Sequence, residues 1–296
     1  MEAVYSLLLA LEDLKDSFIA KITFLNGLFW IVLWGVVAFF TWGYMLKFTS
    51  FMITLLPFKF VQSAGAEFVF MIAWLQVVLV TIGIVFSIFN QYVKNRFFTM
   101  GVTLISAVVW LFVFMSNKSS IIDYIQNMFK IFPFESIEEA VSNVLGVFIF
   151  YSLFIMSLYM GFLINAKKVI SYFTKKDYPE FEIADTAFKF KTVVIILRDF
   201  TIFFIALILL YPLLFVPFLN LLLIILLWAY IIKNALVNTV ESVTGAKIEN
   251  SKAVWFFVFM SVVLNFLPLI NLYAPALGLL GLYHYVMEKK TNILEK

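Results

Sequence analysis

The sequence predicts an all-α, polytopic membrane protein with four spanning helices, two proline-broken re-entrant (hemi-penetrating) helical hairpins and an N-terminal amphipathic helix. Three observations predict this class. Of the 296 residues, 64% are hydrophobic and 13% are charged, which is far from the composition of a soluble globular domain. Two long tracts, 201–232 and 254–287, contain no Asp, Glu, Lys or Arg. Each tract carries two prolines near its middle: Pro212 and Pro217, and Pro268 and Pro275.

The chain begins with a segment, residues 2–19, whose apolar side chains recur at helical spacing. They are Val4, Leu7, Leu8, Leu11, Leu14 and Phe18, with most charged residues on the other face. This pattern favours an amphipathic helix lying on the membrane surface. An ordinary packing helix is an equal alternative. No cleavable signal peptide is expected, because acids stand where its basic region should lie.

Four conventional spans follow, each bounded by charged residues and close to the roughly 20 residues that cross a bilayer. They are predicted at Ile22–Leu46, Phe68–Asn90, Phe97–Asn117 and Val141–Ala166. A segment rich in Phe and Met, Phe48–Phe60, separates the first two spans and is predicted to be interfacial. Short amphipathic and acidic stretches separate the last two.

The two uncharged tracts have the wrong length for simple spans. At about 1.5 Å per residue, either one would form a helix of roughly 50 Å, whereas the hydrocarbon core is about 30 Å thick. Each tract is therefore too long for one span and short for two. A hairpin that enters the bilayer, turns and leaves by the same face fits this length. Two complete crossings per tract are the alternative, because Arg198 and Lys233 could snorkel to the surface.

The distribution of charge predicts the orientation. If each tract returns to its own side, one face carries 17 Lys and Arg residues and the opposite face carries 4. Basic loops stay in the cytoplasm, so both termini are expected to be cytoplasmic. If each tract crossed only once, the bias would be weaker, which favours hairpins over single crossings.

The second half resembles a known family over roughly residues 145–288. The segments that carry the resemblance are FYSLFIMSLYMGFLINAKKVISYF at 150–173, YPLLFVPFLNLLLIILLWAY at 211–230 and FMSVVLNFLPLINLYAPALGLLGLYHYVME at 259–288. In the last one, a Pro-Leu-x-Asn-Leu…Pro pattern is matched by Pro268, Leu269, Asn271, Leu272 and Pro275. The family is the CysZ sulfate-permease group with its etoposide-induced-protein relatives.

This resemblance implies a multi-pass protein of the bacterial inner (plasma) membrane that forms homo-oligomers and transports sulfate. It divides the single membrane domain, 1–296, into N-terminal spans with an apparent insertion, 1–140, and a CysZ-like core, 141–290. The family's sulfate motif has an arginine pair after the first helix. The equivalent stretch here, KDSFIAKI, offers Lys15 and Lys21 instead.

The broken helices also predict where an anion would bind. Half-helices that start at Pro217 and Pro275 would direct free N–H groups and the positive dipole end toward the turns. The candidate substrate-binding residues are Asn220, Asn271, Tyr273, Arg198, Lys21 and Lys15. Two alternatives stand beside this reading: the asparagines merely satisfy the broken backbone, and the basic residues bind anionic lipid headgroups.

Other function classes lack the residues that they need. No acid or base lies inside a predicted span, which argues against a proton relay. The chain has no Cys and no phosphate loop or hydrolase motif, so neither an enzyme nor a cofactor is expected. His284, the single histidine, has no carboxylate run nearby, so no metal site is expected. Nothing in the sequence indicates nucleic-acid binding.

The sequence thus predicts a membrane permease or channel for a small inorganic anion, with sulfate suggested by the resemblance. The alternative is a membrane scaffold or partner subunit that does not transport. Small residues four or three apart, Ser157 with Gly161 and Gly278 with Gly281, predict places where helices approach closely. A similar face in the second span carries Ala73, Gln76, Gly83 and Ser87.

Overall fold

The protein is helical throughout the part of the chain that the structure describes. This computed structural model describes residues 2–55, 96–121, 123, 127, 137–181, 183, 190–215, 219–267 and 269–294. Four segments among them are long and apolar enough to cross a membrane: Ser17–Thr54, Val141–Ile164, Leu197–Leu214 and Leu222–Thr244. The all-α class is therefore confirmed, and the apolar helices support a multi-pass membrane protein.

The described part of the chain contains nine α-helices and two 3₁₀ turns. In chain order they are α1 (Glu2–Asp13), α2 (Ser17–Thr54), α3 (Arg96–Ser116), α4 (Ile137–Ile164), α5 (Ala166–Asp177), α6 (Phe190–Leu210), the 3₁₀ turn η1 (Tyr211–Phe215), α7 (Leu219–Thr244), α8 (Lys252–Leu264), the 3₁₀ turn η2 (Ile270–Tyr273) and α9 (Ala274–Leu294). The predicted third span coincides with α3 and the predicted fourth with most of α4. The predicted second span, with its face of small residues, lies outside the described residues.

Helix α2 extends well beyond the predicted first span. It runs for 38 residues, Ser17–Thr54, which is about 57 Å at helical rise. The helix continues past Leu46, since Lys47 ends the uncharged stretch but does not break the backbone. No proline interrupts this sequence, and helices end where capping or proline stops them. The predicted interfacial segment 48–60 therefore begins as helix, and its part from 56 onward lies outside the described residues.

The chain forms two compact units, each built from separate segments. The first comprises Met1–Thr41, Ile149–Leu209 and Ile224–Lys296, and the second Trp42–Phe148 and Leu210–Leu223. In the second unit, Thr49 and Ser142 share a hydrogen bond of 2.7 Å between their hydroxyls. Tyr211 donates to the Met52 carbonyl at 2.8 Å. Small hydroxyl residues therefore join the end of α2 to the start of α4.

In the first unit, the N-terminal half of α2 packs against α4 through small and amide residues. Asn26 Nδ2 donates to the Leu158 carbonyl at 3.0 Å, and Trp34 Nε1 donates to Ser157 Oγ at 3.0 Å. A Cβ atom on Gly161 would collide with the Asn26 side chain. The predicted close approach at Ser157 and Gly161 is confirmed, because both residues face α2.

The first uncharged tract folds back on itself. Helix α6 ends at Leu210, η1 follows, and α7 begins at Leu219. At the other end of the pair, Asn234 Nδ2 donates to Asp199 Oδ2 at 3.1 Å, so the two helices lie side by side in opposite directions. Both contain a segment long enough to span a membrane.

The second tract also folds back, but with a short first helix. Helix α8 has 13 residues, or about 20 Å of helix. Ser261 Oγ on α8 donates to the Ala274 carbonyl at 2.5 Å. A Cβ atom on Gly281 would lie 2.7 Å from the Phe257 ring. These contacts make α8 and the first half of α9 an antiparallel pair, as the spacing of Gly278 and Gly281 predicted.

Helices α1 and α5 pack with the rest of the first unit through apolar faces. On α1 the buried residues are Ser6, Leu7, Ala10 and Asp13, and the helix lies along α9. On α5 the buried residues are Ala166, Val169, Ile170, Phe173 and Thr174. Both sets recur at helical spacing, so one face of each helix is covered by protein. For α1, this supports the packing-helix alternative.

Replacement of Gly278 tests the close packing of the second hairpin. A Cβ atom there would lie 2.7 Å from Leu236 Cδ1 and 2.9 Å from Ser261 Oγ, so Gly278→Ala should lower the unfolding free energy by about 1–3 kcal/mol. Gly35→Ala is the matched control, because nothing lies within 4 Å of that position. The control should be neutral or stabilising by up to about 1 kcal/mol. Thermal unfolding in detergent measures both, and equal effects would contradict the packing.

Candidate functional site

Polar groups collect where the second tract leaves α8. The helix ends at Leu264, and Asn265 follows as its C-cap, with its N–H directed to the carbonyls of Val262 and Val263. Leu269 then has φ 69° and ψ −41°, a region that residues other than Gly seldom occupy. This strained residue reverses the chain direction before η2 and α9 begin.

Two tyrosines of α4 supply hydrogen bonds at this turn. The Tyr151 hydroxyl donates to the Asn265 carbonyl and accepts from Asn271 Nδ2 at 2.9 Å. Ser261 uses its only hydroxyl hydrogen for the Ala274 carbonyl. Tyr159 must therefore donate in the 2.6 Å bond between its hydroxyl and Ser261 Oγ. We call this set the turn network: Tyr151, Tyr159, Ser261, Asn265 and Asn271.

Two buried N–H donors at the turn network have no partner among the described residues. They are Asn265 Nδ2 and Trp228 Nε1, in side chains that are 0% and 1% exposed. The Trp228 ring lies 5.1 Å from the Phe266 ring and 6.0 Å from the Tyr151 ring, measured between centroids. A buried donor without an acceptor costs about 1–3 kcal/mol. A water molecule or ligand atom that accepts a hydrogen bond from either donor would remove this cost.

Of the three residues predicted at the turns, the structure places two at the second one. Asn271 is 3% exposed and donates to Tyr151 within the turn network. That contact fits the alternative in which the asparagine holds the broken backbone together. Tyr273 is half-buried at the end of η2. The side chain of Asn220 lies outside the described residues.

The predicted basic residues do not join the turn network. Arg198 donates through Nε and Nη2 to Asp199 Oδ1 at 2.9 and 2.7 Å, and Lys15 and Lys21 are exposed. Asp199 is 2% exposed. Arg198 and Asp199 lie in the first turn of the candidate span Leu197–Leu214, just before the uncharged tract 201–232. There the two opposite charges pair, which reduces the cost of burying the carboxylate.

A second polar group forms where α1, α5 and α9 meet. His284 Nε2 lies 2.7 Å from Asp13 Oδ2, and the Tyr178 hydroxyl lies 3.2 Å from His284 Nδ1. Lys176 Nζ lies 3.7 Å from Asp13 Oδ1 and 3.8 Å from Asp16 Oδ2. We call this set the terminal polar cluster: Asp13, Asp16, Lys176, Asp177, Tyr178 and His284.

A cavity of about 370 Å³ lies at the terminal polar cluster. Single donor atoms of Asp13, Asp177 and His284 lie within 4.8 Å of one another, so the expectation that His284 has no carboxylate nearby is wrong. Although the Asp177 side chain is exposed, partial desolvation of its carboxyl raises the pKa, and the neighbouring Asp13 raises it further. Burial likewise raises the pKa of the Tyr178 hydroxyl, which keeps it protonated at neutral pH.

Several residues of the turn network carried a weak signal in the sequence. The contact between Asp13 and His284 carried none. Asn265 is strongly polar within an uncharged tract, and Tyr151 and Trp228 are hydrogen-bonding residues inside apolar helices. Such residues in apolar helices are worth noting, because a buried polar group needs a partner. Asp13 and His284 are 271 positions apart, and no local pattern connects them.

Comparison with known proteins assigns the chain to no family. No family model, no curated protein and no solved structure matches the chain. The resemblance to the CysZ group therefore stays a prediction from the residues of the second half. Functional conclusions depend on the turn network and the terminal polar cluster themselves.

Glu288, one turn after His284 on α9, gives a test of this end of the molecule. Its Oε2 accepts from Ser6 Oγ at 2.9 Å, while Oε1 is buried without a partner among the described residues. Burial raises the pKa of the Glu288 carboxyl above its ordinary 4.5, although the bond from Ser6 opposes the shift. As the pH rises from 4.5 through this raised pKa, ionisation of Glu288 therefore lowers the free energy of unfolding.

Glu288→Gln should consequently unfold at a higher temperature than the wild type at neutral pH, because the neutral amide avoids this cost and still accepts from Ser6. The difference in Tm should disappear below pH 4.5, where the wild-type carboxyl is protonated in both folded and unfolded states. Thermal unfolding of both proteins across this range measures it. A difference that does not change with pH would contradict the raised pKa.

Proposed function

We propose that the protein is a membrane permease or channel for a small inorganic anion, with sulfate as the substrate that the resemblance to the CysZ group suggests. The single observation that carries the proposal is the pair of buried donors without partners, Asn265 Nδ2 and Trp228 Nε1. An oxyanion offers several acceptor oxygens to such donors and no hydrogen of its own when fully ionised.

The electrostatics of the turn support an anion over a cation. Helix α9 begins at Ala274 and turns its positive dipole end toward the turn, while the negative end of α8 lies at Leu264 on the other side. The segment 265–275 contains no charged side chain. The preference for an anion therefore comes from the two unpartnered N–H donors, which offer hydrogens and no lone pair to an ion. Moderate binding of this kind lets an ion leave as well as enter.

The lengths of the helices support a re-entrant second hairpin. Helix α8 covers about 20 Å, less than the roughly 30 Å hydrocarbon core. Its turn would then lie inside the bilayer, where irregular backbone must be covered by protein or water. In the first tract each helix is long enough to cross, so two complete crossings are the better proposal there. Both arrangements return the chain to its starting side, and both termini are proposed to be cytoplasmic.

The proposed membrane location, oligomeric state and orientation of the protein rest on the same resemblance and on the charge bias. We place the protein in the bacterial inner membrane as a homo-oligomer. We place α1, together with the basic residues Lys15 and Lys21, near the cytoplasmic headgroups. Arg198 at the base of the first hairpin would lie at the same face, where it could meet an arriving anion or a lipid phosphate.

Anion flux through purified protein in lipid vesicles tests the proposal. Wild-type protein should give saturable uptake of radiolabelled sulfate. Trp228→Phe removes one donor while it keeps an aromatic ring, and it should weaken apparent affinity about tenfold, since a hydrogen bond to a charged group contributes about 1.5–3 kcal/mol. Asn265→Asp replaces the other donor with a negative charge and should abolish uptake.

Asn117→Asp is the matched control. It makes the same chemical change at an exposed position at the end of α3 and should leave uptake unchanged. If folded wild-type protein moves neither sulfate nor phosphate, nitrate or chloride, the permease proposal fails. The alternative is then a membrane scaffold or partner subunit. The large exposed apolar side chains of α2, such as Phe39 and Phe40 at 82% and 73%, favour contact with lipid or another protein.

Accessibility of single cysteines tests the depth of the second turn. The chain has no Cys of its own, so Tyr273→Cys and Leu213→Cys each introduce a single thiol, one at each turn. An impermeant thiol reagent added outside intact cells should fail to label Tyr273→Cys if the second hairpin is re-entrant from the cytoplasm. Leu213→Cys, at a half-buried position of the first turn, should label if that tract crosses completely.

Ser119→Cys is the control for the outer face, because residues 118–140 are predicted to lie there, and it should label readily. Asn250→Cys, at an exposed position, is the control for the cytoplasmic face and should label only after permeabilisation. Labelling of Tyr273→Cys at the rate of Ser119→Cys would contradict a re-entrant second hairpin.

A further inference from the structure

We propose that Asp13, Asp177 and His284 bind a divalent transition-metal ion such as Zn²⁺. One imidazole nitrogen and two carboxylates are a donor set that Zn²⁺ accepts, and three protein ligands with water in the fourth position are typical of an open zinc site. The inference does not depend on the proposed transport function, since it concerns the opposite end of α9 from the turn network.

The three donors come from separate helices. Asp13 ends α1, Asp177 ends α5 and His284 lies in the second half of α9. Their donor atoms lie within 4.8 Å of one another. Zn²⁺ holds each ligand at about 2.0–2.2 Å, so its donors lie at most about 4 Å apart. Asp177 is exposed, and a small rotation of its side chain would close the set.

The cavity supplies an independent observation. Its volume of about 370 Å³ leaves room for an ion and bound water, and its lining is mainly polar. The charged residues of that lining are Glu12, Asp13, Asp177 and Lys176. The two carboxylates proposed as ligands, Asp13 and Asp177, face one ammonium group. The cavity therefore has an excess of negative charge that favours a cation.

A buried carboxylate oxygen without a partner lies close to this set. Glu288 Oε1 is covered by protein and has no hydrogen-bond partner among the described residues. Glu288 follows His284 by four residues on α9, so the two side chains share one face of the helix. An additional cation near His284 would offset the negative charge of this carboxylate as well.

The environment of His284 fits a metal ligand. The ring is 2% exposed, and the Tyr178 hydroxyl lies at Nδ1. A ligating histidine usually donates its second N–H to an oxygen atom, which fixes the ring orientation. The 2.7 Å between Nε2 and Asp13 Oδ2 is a hydrogen-bond distance. An ion would replace the hydrogen in that bond: the two atoms would separate to about 3.4 Å around it, and Nδ1–H would donate to the Tyr178 hydroxyl.

Lys176 is the competitor for the same position. Its Nζ lies 3.7 Å from Asp13 Oδ1, and the side chain is 49% exposed. Because the lysine is flexible and half-exposed, it can move away when a divalent ion arrives. The ion would then connect α1, α5 and α9 and stabilise the docking of the N-terminal helix.

Titration calorimetry on the full chain tests the site. Protein purified in detergent and stripped with a chelator should bind one Zn²⁺ per chain at neutral pH, and Zn²⁺ should raise Tm by mass action. Removal of an outer partner of a metal ligand already costs about 10- to 100-fold in affinity, so Asp177→Asn should lose at least tenfold. Its exposed position means that the variant should still fold, which its Tm without zinc checks.

Two further variants make the test specific. Asp16→Asn is the matched control: it removes another carboxylate that contacts Lys176 but is not a ligand, and it should keep wild-type affinity. Lys176→Ala removes the competing ammonium group and should tighten zinc binding. No zinc binding by the wild type, or an equal loss in Asp16→Asn and Asp177→Asn, would overturn the proposal. The terminal polar cluster would then be a hydrogen-bonded and ion-paired joint only.

Discussion

Backbone groups freed by a broken helix must find hydrogen-bond partners inside the protein when their surroundings are apolar. This constraint governs the second hairpin and, through it, α4. The chain leaves α8 at Leu264 and reverses at a strained Leu269. Tyr151 then takes up the Asn265 carbonyl, and Ser261 takes up that of Ala274. Because these bonds come from fixed positions on α4 and α8, the turn can keep its shape only while both helices hold their registers.

Close helix packing provides that fixed register. Gly161 on α4 admits the Asn26 and Trp30 side chains of α2, and Gly281 on α9 admits the Phe257 ring of α8. Two apolar helices in lipid gain little free energy from burying their surfaces against each other, because the lipid tails are equally apolar. Small residues that permit close contact, together with amide and indole hydrogen bonds, therefore supply much of their attraction. Trp34 and Ser157 form such a bond between α2 and α4.

Helix α9 separates two kinds of polar chemistry along its length. Its first turn belongs to a neutral region with spare N–H donors, whereas its second half carries His284 and Glu288 among the charges of α1 and α5. Charged groups are expensive to bury in an apolar interior and less so near an aqueous face. The division explains how one helix can support an uncharged turn at one end and a charged joint with the N-terminal helix at the other.

The sequence alone predicts the helical class, the apolar helices that the structure describes and the reversal of both uncharged tracts, because composition, charge spacing and proline position act locally. It also indicated the contacts of Ser157, Gly161, Gly278 and Gly281 through their spacing. It placed Asn271 at a turn but could not identify Tyr151 as its partner. Only the tertiary structure brought Trp228 to the Asn265 turn and Asp13 to His284, since those contacts join helices that are distant in the chain. Hydrogen bonding and burial between such helices depend on packing, which no local pattern encodes.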